Sequence, residues 1–77
     1  MTTTDQDRAF YRTVGERLKA RRTATGWTQA TLAERAQLSP NFIARLERGE
    51  LGMSLLTATR LCTALAVRVD VLLPEAA

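Results

Sequence analysis

Residues 26–49 read GWTQATLAERAQLSPNFIARLERG, and the fold follows from the way this stretch punctuates itself. Gly26 takes a left-handed conformation without steric cost, so it stops a preceding helix. Thr28 is a good N-cap, and Trp27 before it and Leu32 within the helix are spaced for a hydrophobic staple. This helix ends near Ala36. Ser39 then caps another, with Pro40 at the first helical position, where a missing N–H costs nothing. Leu38 and Ile43 are spaced for a second staple, and Gly49 closes the segment. Two short helices joined by so few residues meet at a steep angle around a tight turn. A close crossing needs a small residue on the first of them, and Ala33 supplies it.

Helical spacing sorts the second helix of the pair into two faces. Ile43, Leu46 and Glu47 fall in one narrow arc that faces the core. Asn41, Arg45 and Arg48, spaced four and three apart, fall opposite. Those residue types suit base edges: asparagine can bond adenine in two places and arginine can bond guanine in two places in the major groove. As ordinary helix residues they would simply be solvated. Gln29 opens the first helix of the pair, where its side chain and the free backbone N–H groups can hold a phosphate, and Arg48 can do the same at the far end. Phe42 either touches a thymine methyl or a sugar, or packs at the domain edge. Trp27 reads as core staple.

Outward from this pair, Phe10, Val14 and Leu18 recur every fourth residue and predict a first helix from about Asp7 to Thr25. Ser54 caps a helix to about Leu65 that buries Leu55, Ala58, Leu61, Cys62 and Leu65. A short helix or turn covers Val69 to Leu73, stopped by Pro74. No stretch shows strand alternation, so the chain predicts an all-α class with five short helices. Thr57, Thr59 and Thr63 fall on the exposed side of the fourth helix. Leu51, Met53, Val69, Val71 and Leu73 are more apolar than an exposed tail needs, which suggests core plus a dimer patch.

Charge and composition narrow the classes. Of the 77 residues, positions 8–49 hold nine Lys/Arg against three Glu, a net of +6, while the flanks are slightly acidic. A basic middle between acidic flanks is the electrostatic footprint of a nucleic-acid face. One cysteine and no histidine exclude an internal disulfide framework, Cys-His metal sites and histidine-based catalysis. No nucleophile–base pair stands out, so no catalytic residue, metal ligand, cofactor or small-molecule ligand is expected. No apolar run approaches a membrane span and the polar start is not a signal peptide, which points to a cytoplasmic protein with no membrane partner. Cys62, on the apolar stripe of the fourth helix, reads as a small core hydrophobe.

The residues Gly26-Trp27-Thr28-Gln29, Leu32-Ala33, Leu38-Ser39-Pro40, Ile43 and Leu46-Glu47-Arg48-Gly49 together resemble the Cro/CI-type, lambda-repressor-like helix-turn-helix proteins, over roughly residues 10–73. The resemblance implies a compact five-helix DNA-binding domain, here expected over 7–77; the polar residues 1–6 before it are read as a flexible arm. It implies double-stranded DNA and a second copy of the chain as partners, with Thr28, Gln29, Ser39, Pro40, Asn41, Phe42, Arg45 and Arg48 at the DNA and Gln29 on a phosphate. It also pairs Arg22 with Glu47 as a buried salt bridge, and the cost of an unpaired buried carboxylate argues independently for a partner there. Length and the spacing from Glu47 to Val67 look most like the controller proteins of restriction–modification systems, which are dimeric regulators of their own operon. An antitoxin, a phage-type repressor or a protein-interaction module on the same scaffold are the alternatives. Two departures stand out. After Gly49 such controllers often carry Arg-Asn, where this chain has Leu51-Gly52. The usual glycine of the helix-turn-helix turn is replaced by Gln37, which implies a strained left-handed residue.

Overall fold

Thr4 starts the first helix. Its hydroxyl accepts from the Asp7 backbone N–H, and the Asp7 carboxylate accepts from the Thr4 backbone N–H, a reciprocal cap that commits the chain two residues before the expected start. Helix α1 therefore spans Asp5–Ala24 in the computed structural model, which describes residues 4–74. Of the arm expected over 1–6, residues 1–3 lie outside the described residues, and 4–6 form the cap and first turn of α1. Helices α2 (Gln29–Ala36), α3 (Pro40–Glu47) and α4 (Leu55–Leu65) begin after Thr28, Ser39 and Ser54, each hydroxyl accepting a first-turn backbone N–H.

The expectation of a fifth helix is corrected. Val69–Val71 form one 3₁₀ turn, so the described residues hold four α-helices and no strand. Pro74 follows too closely for an α-helical hydrogen-bond ladder to propagate.

All four helices stop by one device. A left-handed residue follows each helix or its last cap, and the next residue's N–H reaches back five positions to a carbonyl: Trp27 to Arg22, Leu38 to Ala33, Glu50 to Arg45, and Val67 to Cys62. Gly26 and Gly49 take that conformation freely, whereas Gln37 (φ 60°) and Ala66 (φ 56°) carry a Cβ through it.

Packing sets the crossing angles. Helix α3 lies against both α1 and α2, and α4 packs on α2 and on the 3₁₀ turn. Leu18, Leu32, Ile43, Leu46, Leu61 and Leu72 are fully buried at the centre, with Ala33 and Ala36 allowing the close approach of neighbours to α2. Cys62 belongs to this core. Gly15 makes the α1–α3 contact possible: a Cβ there would stand 2.3 Å from the Leu46 carbonyl oxygen and 2.7 Å from that of Glu47.

Leu55 departs from expectation. Its spacing from Ala58 and Cys62 puts it on the stripe expected to be buried, yet it is 88% exposed. It is the first residue of α4, one turn beyond the point where the rest of the chain covers that face. Phe10, expected to stack with Val14 and Leu18, is likewise exposed. Thr59 and Thr63 lie exposed on the outer side of α4, while Thr57 is partly covered.

Candidate nucleic-acid interface

Helix α3 turns Ile43, Leu46 and Glu47 inward and leaves Asn41 and Arg45 exposed on the opposite face, with Arg48 continuing that face as the residue after the last helical turn. Ser39 and Pro40 are exposed at its start, where the Ser39 hydroxyl accepts from the Phe42 N–H. Phe42 is only partly exposed and packs against the core. Trp27 also packs on the core, and the Arg35 guanidinium lies 4.9 Å from the centre of its ring.

The Glu47 carboxylate is the hub behind this face, with its side chain 3% exposed. Arg22 donates to it twice, Nε to Oε2 at 2.6 Å and Nη2 to Oε1 at 3.0 Å. The remaining Arg22 nitrogen donates to the Trp27 carbonyl at 2.8 Å. These bonds to Glu47 outweigh burial and hold the Arg22 guanidinium above its ordinary pKa. Gln29 completes the hub through Nε2 to Glu47 Oε1 at 3.0 Å. One amide hydrogen of Gln29 is thus directed inward, which sequence reasoning missed. The Gln29 and Ala30 backbone N–H groups, at the start of α2, have no partner within the helix. Thr28 is exposed beside them, its hydroxyl shared between the Thr31 N–H and hydroxyl. Arg22 of α1, the Trp27 carbonyl, the start of α2 at Gln29 and the end of α3 at Glu47 are therefore joined behind this face by one charged, hydrogen-bonded network.

A second group was not foreseen. Glu50 Oε1 accepts from Arg45 Nε at 3.3 Å, and Glu50 Oε2 pairs with Arg48 Nε. The Arg48 guanidinium, and secondarily that of Arg45, hold the Glu50 carboxyl below its usual range. Nothing in the local sequence pattern signals this, because the pairing runs back across the Gly49 turn.

The predicted dimer residues separate. Leu51, Met53, Val69 and Leu73 line one apolar groove, together with Phe10 and Leu55, whereas Val71 sits elsewhere, against Arg17 and Arg21 of α1. Leu51 and Met53 also contact the core. Leu72, between the groove residues, is buried, and Arg17 Nη1 donates to the Leu73 carbonyl at 2.7 Å, which pins the segment to α1. Among the described residues there is no cluster of acidic, histidine or cysteine side chains able to hold a metal, and no helix long and apolar enough to cross a membrane.

Comparison with known proteins places this geometry. A family described as helix-turn-helix domain matches residues 13–76. The immunity repressor protein of Bacillus phage phi105 is 40% identical over 63 residues, 82% of this chain, and the chain spans only 44% of that relative's length. The restriction-modification controller protein C.AhdI from Aeromonas hydrophila superposes with a TM-score of 0.78 at 35% identity, over 80% of this chain and 94% of that one. The P22 c2 repressor, solved with a synthetic operator, superposes with a TM-score of 0.75 at 33% identity, over 78% of this chain and 91% of that one. The same fold also occurs within an enzyme: hydroxypropylphosphonic acid epoxidase from S. wedmorenis matches with a TM-score of 0.82 at 29% identity over 88% of this chain, but over only 36% of the epoxidase.

Proposed function

The chain belongs to the helix-turn-helix domain family, and on that premise we propose that it is a sequence-specific, DNA-binding transcriptional regulator that holds a near-palindromic operator as a homodimer. The observation that carries this reading is the exposed Asn41–Arg45–Arg48 face of α3, backed by the buried Arg22–Glu47–Gln29 network. In this reading Arg45 and Asn41 contact base edges. Ser39 and Pro40, at the start of α3, lie against the bases beside them, while Thr28, Gln29 and Arg48 hold the flanking phosphates. Phe42 packs inward and supports the face. An enzymatic role finds no support: the match to an epoxidase leaves most of that enzyme without a counterpart here, and fold alone does not carry activity.

The homodimer rests on the apolar groove. Phe10, Leu55, Val69 and Leu73 are all exposed there, on a domain whose other large apolar side chains are mostly covered. A contiguous exposed apolar patch on a small domain marks an interaction surface. A two-fold partner across it would double the DNA site, with recognition helices about 34 Å apart, one turn of DNA. We place the protein as a controller of a restriction–modification operon, acting in the cytoplasm. The 40% identity to a phage immunity repressor supports a phage-type repressor as the second reading.

Selection of bound sequences from a random duplex pool tests the proposal. A near-palindromic consensus is expected, together with loss of roughly 1–3 kcal/mol of specific binding in Arg45→Ala while random duplex is bound nearly as before. No enrichment from the pool, with no salt-dependent binding of any duplex, would leave a protein-interaction module instead. Sedimentation at tens of micromolar showing monomer alone, with a single-half-site footprint, would refute the dimer. The genes beside this one distinguish the controller reading from the phage reading.

A further inference from the structure

Glu50 is an exposed acidic residue just past α3 that bonds two arginines of the proposed DNA face. Its position is fixed by the backbone. Gly49 at φ 74° turns the chain so that the Glu50 N–H donates to the Arg45 carbonyl at 3.0 Å. That turn is itself packed: a Cβ on Gly49 would stand 2.8 Å from the Arg12 Cα. Glu50 is thus anchored through its backbone to the residue whose side chain its carboxylate meets. One oxygen takes Arg45 Nε and the other takes Arg48 Nε. An arginine carries five N–H donors in a planar fork. Occupying only the Nε edge leaves the two terminal nitrogens free, and those are the pair that can grip guanine O6 and N7 end-on.

We infer that Glu50 is a positioning and specificity-determining residue, which holds Arg45 and Arg48 by their Nε edges with the guanidinium ends presented outward, and which withholds part of their charge from the phosphate backbone. The inference rests on the DNA-binding reading above and deepens it. Non-specific binding is almost wholly attraction to phosphates, so a carboxylate between the two arginines weakens it. A base contact at the free end of Arg45 leaves Glu50 in place and loses little. All three side chains are about half exposed, between 42% and 57%, and exposed ion pairs contribute little to folding. The consequence of the clamp therefore lies in recognition rather than stability.

Glu50→Gln tests it in the full chain, with two probes: the best duplex recovered by selection with the parent protein, and a random-sequence duplex of equal length. The unfolding midpoint should stay within the scatter of the parent. Affinity for the random duplex should rise several-fold, and its logarithmic salt slope should steepen by up to about 0.9, one further phosphate. The ratio of selected to random affinity should fall about tenfold, the scale of one well-oriented bidentate contact. In the DNA-free protein the Nε–Hε resonances of Arg45 and Arg48 should move on substitution, while that of Arg22, held by Glu47, should not. A variant that binds random duplex no more tightly, or keeps the full ratio, overturns the role while leaving the DNA-binding reading intact. A parent that binds no duplex at all removes both, and the resonance shifts would then report an ion pair without a recognition role.

Discussion

The Arg22–Glu47 pair offers the sharpest test of how this domain is held together. Glu47→Ala deletes a carboxylate that accepts three hydrogen bonds, two from Arg22 and one from Gln29. Arg22 keeps only the Trp27 carbonyl, so a buried guanidinium is left without its counter-charge. Breaking such a pair by removing one partner costs about 3–5 kcal/mol. A chain of 77 residues, at roughly 0.05–0.15 kcal/mol per residue, has only about 4–12 kcal/mol in total. The variant should therefore lose between about a quarter and all of its stability. At a urea slope near 1.5 kcal/mol/M, that lowers the midpoint by about 2 M or more. Arg22→Met combined with Glu47→Leu removes both charges and fills similar volume, so it should recover most of the loss. Recovery should fall short by about 1 kcal/mol, because the Trp27 carbonyl loses its donor and Gln29 its acceptor. Urea denaturation of parent, single and double variants reads all three numbers. An unchanged midpoint in Glu47→Ala would refute the structural role of the pair. Equal losses in the single and double variants would show that the orphan charge is not the cause.

Three further outcomes follow from the packing and the turns. Gly15→Ala should destabilise by roughly 2–3 kcal/mol or more, the scale of overpacking against atoms that cannot move aside, although the same exchange in an open helix stabilises by about 0.5–1 kcal/mol; a gain in melting temperature would refute the close α1–α3 contact. Ala66→Gly and Gln37→Gly should each stabilise by about 0.5–1 kcal/mol, the left-handed penalty less the added freedom of the unfolded chain; calorimetry showing a loss in both would deny the strain. Burial raises the Cys62 thiol above its ordinary pKa, so a thiol reagent at mildly alkaline pH should label it slowly in the native protein and completely in denaturant; immediate stoichiometric labelling would place it at the surface.

What was legible in the sequence was local. The starts of α2, α3 and α4 could be read because a hydroxyl bonding an N–H a few residues on is a property of one turn. The start of α1 carries a weaker form of the same signal in Thr4 and Asp7, with aspartate where glutamate or glutamine is the commoner partner. Helix ends could be read at Gly26 and Gly49, where glycine marks them, and near Leu65; what the sequence did not show there is that Ala66 is left-handed, a conformation closed by the Val67 N–H bonding the Cys62 carbonyl. The demand for a partner to Glu47 followed from the cost of burying a charge, whereas the joining of Gln29 to the same carboxylate depends on how α2 crosses α3. Gly15 gave no local sign at all, since its reason is a backbone atom some thirty positions away. The Arg45–Glu50–Arg48 cluster was hidden for a related reason: helical spacing ends at Gly49, and what lies past a left-handed turn no longer obeys it.

Leu55 is the most instructive failure, because the rule applied to it was sound. Periodicity states which face of a helix is apolar, not what covers it. On α4 the stripe through Ala58 and Cys62 continues to Leu55, but the core of this chain ends one turn short, and Phe10, Val69 and Leu73 extend the uncovered surface. Burial of a large aliphatic side chain is worth about 1.5–3 kcal/mol, so Leu55 alone forgoes an amount that matters to so small a domain. A second copy docked on the groove would recover it on both protomers at once. Leu55→Lys should then leave the monomer folded, weaken self-association by at least tenfold in sedimentation, and reduce operator affinity more steeply at low protein concentration than at high. If self-association and operator affinity both survive the lysine, the apolar stripe of α4 is covered by nothing in the dimer, and the two-fold must be sought on another face.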